Sequence, residues 1–293
     1  MTPTMAPMKA MLTTSCLLLC SCGAEKSNET GTPEAARTGE LSVLTYNVHG
    51  LPPEITGDDT AGRMDQIAPR LSTWDIIGLQ ENFDDDNNAR LIDGAGHPST
   101  LWFDEQLPDR FYGSGLSVLS QLSIIDAQST HYSACHGYAD SSSDCLASKG
   151  FQVVRVAVGG ASIDLYNTHL EAGGGSEDNA ARQTQVEELI ASLNGWSAGN
   201  AVIFTGDFNL RETDPDDLPL IEQLLDEAQL IRSCAAVSCD EPSHIDKILF
   251  RSSESVTLSA LSWSNLAPDF EDNQGVALSD HPPISANFSF ATH

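Results

Sequence analysis

The chain has 293 residues, 40% of them hydrophobic, with 14 Lys+Arg against 42 Asp+Glu and a formal net charge of −28. Runs such as Ile76-Ile77-Gly78-Leu79 and Val153-Val154-Arg155-Val156 bury enough apolar surface to offset ordering entropy, which excludes disorder over most of the chain. No stretch reaches the roughly 18 to 20 apolar residues of a spanning helix, and the acidic excess excludes a protein that grips nucleic acid by charge alone, since that affinity comes from Lys and Arg displacing counterions. A nuclease whose metal ions meet the phosphate stays open.

Residues 1–22 hold one charge, Lys9, ahead of an apolar segment from Ala10 to Leu19, and read as an export signal. Leu19-Cys20-Ser21-Cys22-Gly23 resembles the lipobox of bacterial lipoproteins, with Cys20 a departure; the modified residue is then Cys22. The other reading is signal cleavage without lipid. Either way the chain is exported, as a membrane-anchored lipoprotein of the periplasm or cell surface or as a secreted protein. Residues 23–40 are rich in Gly, Glu, Ser, Thr, Pro and Ala without apolar periodicity and suit a flexible tether. Four cysteines follow the signal: Cys135, Cys145, Cys234 and Cys239. An even count in an exported chain reads as disulfides, and Cys135–Cys145 with Cys234–Cys239 is the simplest of three connectivities. A zinc site is the rival, but the spacings lack paired C-x₂₋₄-C units.

Residues 41–47 read as a strand and 63–71 as a helix with Met64, Ile67, Ala68 and Leu71 on one face. Residues 75–80, 116–120, 151–158, 163–168 and 201–205 read as strands, with β-branched runs and glycine punctuation. Residues 183–193 and 218–230 read as helices, and 245–250, 256–263 and 284–290 as closing strands. The run Asp84-Asp85-Asp86-Asn87-Asn88 resembles a calcium loop, but Ala89 and Ala95 stand where glycine and the terminal Glu are required. It reads as an acidic helix N-terminus. With no linker after residue 41, residues 41–293 form one domain of two packed sheets flanked by helices.

Several strands end in residues that ligate metal or handle phosphate: Asn47, Glu81, His169, Asp207 with Asn209, Asp246, and Asp280-His281. Hard cations such as Mg²⁺ take carboxylate oxygens and keep several waters, which suits scattered strand-end carboxylates. Singly, such residues are turn formers or helix caps more often than ligands.

Their order is more telling. Thr45-Tyr46-Asn47-Val48-His49-Gly50-Leu51, Leu79-Gln80-Glu81-Asn82-Phe83, Tyr166-Asn167-Thr168-His169-Leu170, Thr205-Gly206-Asp207-Phe208-Asn209, His244-Ile245-Asp246-Lys247 and Ser279-Asp280-His281-Pro282 resemble, in sequence order, the motifs of the endonuclease/exonuclease/phosphatase superfamily. The resemblance implies an α/β fold of the DNase I-like kind, a four-layer sandwich of two packed mixed β-sheets flanked by helices. It also implies phosphoester cleavage dependent on Mg²⁺, or on Mn²⁺ or Ca²⁺ in its place. Within the superfamily, Glu81-Asn82-Phe83-Asp84, Asp144-Cys-Leu-Ala-Ser-Lys149-Gly150 and Thr168-His169-Leu170-Glu171-Ala172 are similar to segments of the neutral sphingomyelinases. Asp144 and Lys149 are either a solvated loop pair or, by that resemblance, put Lys149 beside the substrate phosphate.

Residue types and resemblance together imply that Glu81, helped by Asn47, holds the metal and that Asp280 supports a second one. His281, oriented by Asp246, is then the base that activates water. Asp207 and Asn209 position that water and the phosphate, and His169 stabilises the pentacoordinate phosphorus. Departures limit the subclass: His49 stands where DNA-repair relatives carry Asp, and residues 211–243 lack the aromatics of a membrane-entry hairpin. Trp263 and Phe270 are the nearest aromatics, and Trp263 suits a core equally well. The leading expectation is an exported phosphodiesterase acting on a phospholipid head group; a secreted metal-dependent nuclease acting on DNA or RNA is the alternative. A binding module without catalysis is the third, disfavoured because every metal and base position holds a competent residue.

Overall fold

A strand buried along its whole length needs cover on both faces, because successive side chains point to opposite sides. In the computed structural model, which describes residues 36–138, 144–240 and 244–293, several strands meet that condition. In chain order the elements are β1 (Thr38–Asn47), α1 (Pro53–Thr56), α2 (Thr60–Leu71), β2 (Ile76–Gln80), α3 (Asp85–Ala95), β3 (Ser99–Phe103), β4 (Leu116–Ser120), β5 (Ile124–His131), β6 (Gly150–Val158), β7 (Ala161–His169), α4 (Ser176–Gly195), β8 (Ala201–Asp207), α5 (Leu218–Ala228), β9 (Ile231–Arg232), α6 (Ser233–Ala236), β10 (Asp246–Arg251), β11 (Val256–Asn265) and β12 (Ile284–Thr292). Every residue of β2, β4 and β8 is buried.

The strands form two six-stranded sheets, ordered β11-β12-β1-β2-β4-β3 and β5-β6-β7-β8-β10-β9. In each, one central pair is parallel, β1 with β2 and β7 with β8. Parallel neighbours need a crossover; α2 and α4 supply it. Along β1 and β2, Val43 and Ile76 enter the apolar layer between the sheets, where they join Val154, Ile203 and Phe288. Their neighbours Leu44 and Ile77 turn outward to Met64, Ile67 and Leu71 of α2. On the other flank, Tyr166 and Phe204 pack against Val186 and Leu189 of α4 and Leu224 of α5. This period-two division gives the helix–sheet–sheet–helix order expected from the sequence. Among the described residues no helix is long and apolar enough to cross a membrane.

A polar zipper joins the sheets near the ends that carry the candidate site. Gln80 Nε2 donates to Asn167 Oδ1 at 2.7 Å, and Asn167 Nδ2 donates to the carbonyls of Leu79 at 2.8 Å and Ser117 at 3.1 Å. Burial demands such partners for these amides, and of the two only Gln80 Oε1 is left without one. The sheets approach closely at Gly78, where an added Cβ would lie 2.1 Å from Thr205 Oγ1 and 2.7 Å from Asn167 Oδ1.

The expected disulfides are present, Cys135–Cys145 and Cys234–Cys239. The signal segment and Cys22 lie outside the described residues. The tether expected over residues 23–40 needs correction at its end: Thr38, Gly39 and Glu40 already pair with Ala291, Phe290 and Ser289 of β12. Strands β3 and β5 were not expected, because both are sheet edges and β5 is exposed and polar along most of its length. Helix α4 starts at Ser176, earlier than the expected 183, because its first turns bury Asp178 and Arg182 where the apolar pattern is silent. The acidic run does open α3, with Asp84 Oδ1 accepting from Asn87 N at 2.9 Å. Trp263 packs part-buried against the inter-sheet core, and Phe270 is buried with its ring 5.1 Å from that of Tyr46.

Gly78→Ala should destabilise the fold by ~1–3 kcal/mol through overpacking at the sheet interface, read as a lowered urea midpoint with unchanged slope. An unchanged midpoint would show that the interface relaxes around the methyl group.

Candidate active site

Sheet register assembles the site. In the second sheet His169, Asp207 and Asp246 stand side by side, since His169 pairs with Asp207 and Asp207 with Asp246. In the first sheet Asn47 pairs with Gln80, so Asn47 and the following Glu81 end neighbouring strands. Asn47 bridges the two groups: its Nδ2 donates to Glu81 Oε1 at 2.9 Å and to Asp207 Oδ2 at 3.1 Å. Two turns of one design leave the strand ends, with His49 N donating to Asn47 Oδ1 at 3.1 Å and Asn209 N to Asp207 Oδ1 at 3.0 Å.

His49 (φ 48°), Glu81 (φ 57°) and Asn209 (φ 48°) all lie in the left-handed region. Each such residue costs roughly 1–2 kcal/mol relative to ordinary backbone, and strain of this kind collects at functional sites when the surroundings enforce it. The Gly50 amide enforces it at Glu81 by donating to the Glu81 carbonyl at 2.9 Å. A Cβ on Gly50 would lie 2.6 Å from that oxygen, so the Asn-Val-His-Gly motif needs its glycine for close approach.

His281 Nδ1 donates to Asp246 Oδ2 at 2.9 Å and lies 3.7 Å from Asp207 Oδ2. Burial pushes the imidazolium down, but the Asp246 bond and the charges of Asp246, Asp207 and Asp280 outweigh it and raise His281 to about 10. Asp207 is pushed up, first by burial and then by the Asp246 charge. Glu81 goes the other way: burial is outweighed by the His49 and Asn47 bonds and nearby cationic charge, which hold it down at about 2. His169 is held neutral, by burial and then by Lys149, whose Nζ lies 3.1 Å from its Nε2. Lys149 also donates to the Leu170 carbonyl at 2.9 Å and forms an ion pair with Asp144. Both partners of that pair are buried.

The donor set fits a divalent cation. Asp207, Asp246 and His281 each offer a ligand atom, all within 4.8 Å of one another. Asp246 Oδ1 is buried without a hydrogen-bond partner, and two adjacent buried carboxylates repel unless positive charge joins them. Oxygen donors with a single imidazole suit Mg²⁺ or Mn²⁺ better than a thiolate-seeking ion.

Beside this cluster opens a cavity of about 350 Å³. Glu81, Lys149 and His169 reach it from the strand ends, while Leu51, Ile55, Phe83, Tyr112 and Leu146 make an apolar wall.

The sequence model of the Endonuclease/Exonuclease/phosphatase family matches residues 44–281, which hold all of these strand ends. This chain belongs to that family. Among its relatives, a sphingomyelinase of Mycobacterium bovis is 32% identical over 283 residues, covering 88% of this chain and 54% of that protein, so the chain spans about half its relative's length. Sphingomyelinase C from Streptomyces griseocarneus superposes with a TM-score of 0.66 at 20% identity, covering 85% of this chain and 99% of that one. A Staphylococcus aureus beta toxin mutant with bound magnesium ions superposes with a TM-score of 0.64 at 16% identity, covering 85% and 99%. Both superpositions show the shared fold.

Within this family member, Asn47, Glu81, His169, Asp207, Asn209, Asp246 and His281 converge as the strand-end pattern implies. Asp280 stands apart: its side chain is 63% exposed, and its Oδ1 lies 3.5 Å from His49 Nδ1 rather than in the Asp207–Asp246–His281 group. Sequence reasoning assigned no role to His49, which also lies 3.6 Å from Glu81 Oε2. Its place inside the first motif was the available signal. It also passed over Ser279, whose Oγ donates to the Asn47 carbonyl at 2.7 Å, although that serine opens the last motif.

In metal-free protein the His281 ring should titrate near pH 10 rather than near 6.5, followed by NMR of its ring protons, and Mg²⁺ should bring that titration down. Because the folded value is the higher one, the stabilisation from this imidazolium is complete below about pH 6.5 and lost as pH rises through about 10. A metal-free ring that titrates below neutrality would show that Asp246 does not hold it charged.

Proposed function

We propose that the chain is an exported, metal-dependent phosphodiesterase that hydrolyses a phospholipid head group in the manner of a sphingomyelinase. The observation that carries the reading is the cavity beside the strand-end cluster: phosphate-handling residues line one side and apolar ones the other, as an amphiphilic ester requires. The sphingomyelinase relatives support the same substrate class. The charge balance of 14 basic against 42 acidic residues argues against a polyanionic substrate.

Glu81 with Asn47, and the Asp207 and Asp246 carboxylates, would hold Mg²⁺, leaving the His281 ring off the metal. When bound, the cation polarises phosphoryl oxygens and offsets the carboxylate charge that otherwise holds His281 protonated. His281 keeps its Nδ1 proton on Asp246, which leaves Nε2 to take a proton from the attacking water. Asp246 fixes the tautomer and stabilises the imidazolium that forms, as a carboxylate does beside any catalytic imidazole. Asp207 and Asn209 position water and phosphate at the end of β8. His169, neutral and backed by the Lys149 ammonium, faces charge that builds on the pentacoordinate phosphorus.

His281→Ala should lower turnover by ~10²- to 10⁴-fold, and EDTA should abolish it until Mg²⁺ is restored. The deciding assay runs sphingomyelin micelles, plasmid DNA and RNA in parallel over a range of salt. Metal-dependent phosphocholine release that changes little with salt is the expected result. Nicking of DNA with sphingomyelin untouched would overturn the lipid reading.

A further inference from the structure

We propose that Arg63, which no strand-end motif contains, is a positioning residue that couples the two loops carrying the site. It lies in the first turns of α2, behind the site, with its side chain 14% exposed. Its Nη1 donates to the Val48 carbonyl at 3.0 Å and to the Leu278 carbonyl at 2.8 Å, and its Nη2 to the His49 carbonyl at 2.7 Å. Nε pairs with Asp58 at 3.0 Å. One guanidinium thus holds the loop after β1 to the loop before β12.

The first follows Asn47, the last residue of β1, which bridges Glu81 and Asp207, and carries His49 in its left-handed conformation. The second carries Asp280 and His281. The loops come from chain segments more than 200 residues apart, since Arg63 and Leu278 are separated by 215 positions, and they leave neighbouring strands whose ladder reaches Thr45 and Ile284. They are also tied by the bond from Ser279 Oγ to the Asn47 carbonyl and by the His49–Asp280 pair at 3.5 Å. Charge-assisted bonds to carbonyls are about twice as strong as neutral ones, and the planar fork of Arg spans three acceptors where a lysine ammonium offers one point. Arg63 therefore fixes the loop after β1 against the loop that carries Asp280 and His281, adding to the ladder and the bonds already there, and it holds the strained His49 peptide in place.

The activity arm of the test rests on the phosphodiesterase reading; the spectroscopic arm does not. In the full chain, ring ¹⁵N resonances of His49 and His281 should both move in Arg63→Ala, while those of His97 and His293, bonded to Trp74 and Thr257, stay in place. A role confined to stability would move all of them or none, and either result overturns the proposal, as does movement of His49 alone. Turnover should fall ~10²-fold with KM nearly unchanged, the scale of a displacement near 1 Å, and added methylguanidinium should restore part of it. Should Arg63→Ala fail to fold, Arg63→Lys carries the same ring readout, with both resonances expected to shift. If wild-type protein cleaves no phosphoester, the function reading falls while the ring shifts still decide this one.

Discussion

The structure depends on two carboxylates buried side by side. Asp207 and Asp246 are register partners on neighbouring antiparallel strands, 1% and 2% exposed. Like charges so placed raise each other's proton affinity and demand compensation. The compensation comes from several directions: the His281 ring on Asp246, the Asn47 amide on Asp207, the Asn209 amide proton on the same carboxylate, and a partnerless Asp246 oxygen left for a cation. A fold that encloses such a pair is arranged around positive charge that arrives from outside.

That demand explains features that are costly in isolation. Three non-glycine residues hold left-handed backbone within this one site, where no core-packing argument would place them. His169 is buried with its Nδ1 unpartnered and kept neutral next to the Lys149 ammonium. Asp144 neutralises that ammonium inside the protein, and the Cys135–Cys145 bridge anchors Asp144 through the adjacent residue. The disulfide closes a short loop and so ties the cavity wall at Leu146 and Ala147 to the edge of the second sheet. The apolar wall and the polar end with Glu81, Lys149 and His169 line one cavity.

Some of this was open to sequence reading for a simple reason. Central strands buried on both faces must be continuous apolar runs, so β1, β2, β7, β8 and β10 stand out, and the polar residues that end them stand out with equal clarity. Edge strands do not carry that signature. Strand β5 is polar because solvent covers most of it, and β3 mixes both kinds of residue. Helix α4 hides its start because the buried groups there, Asp178 and Arg182, are charged and held by neighbours: Arg182 Nη1 by the carbonyls of Glu171 and Gly173, Asp178 by the Gly175 amide. His49 and Arg63 carry no periodic signal at all, since each acts through contacts with distant chain.

The sequence by itself determined which residues end the central strands and that two sheets pack face to face with helices outside, and it made the short-loop cysteine pairs the simplest of three connectivities. Those features follow from local apolar period and short separation. Tertiary structure alone decided that Asp280 stands apart from Asp207, Asp246 and His281, that Asn47 bridges carboxylates of opposite sheets, and that one arginine spans the two site loops. The reason is physical: side-chain direction at a strand end depends on turn conformation and on partners hundreds of residues away, and no local pattern encodes those distances.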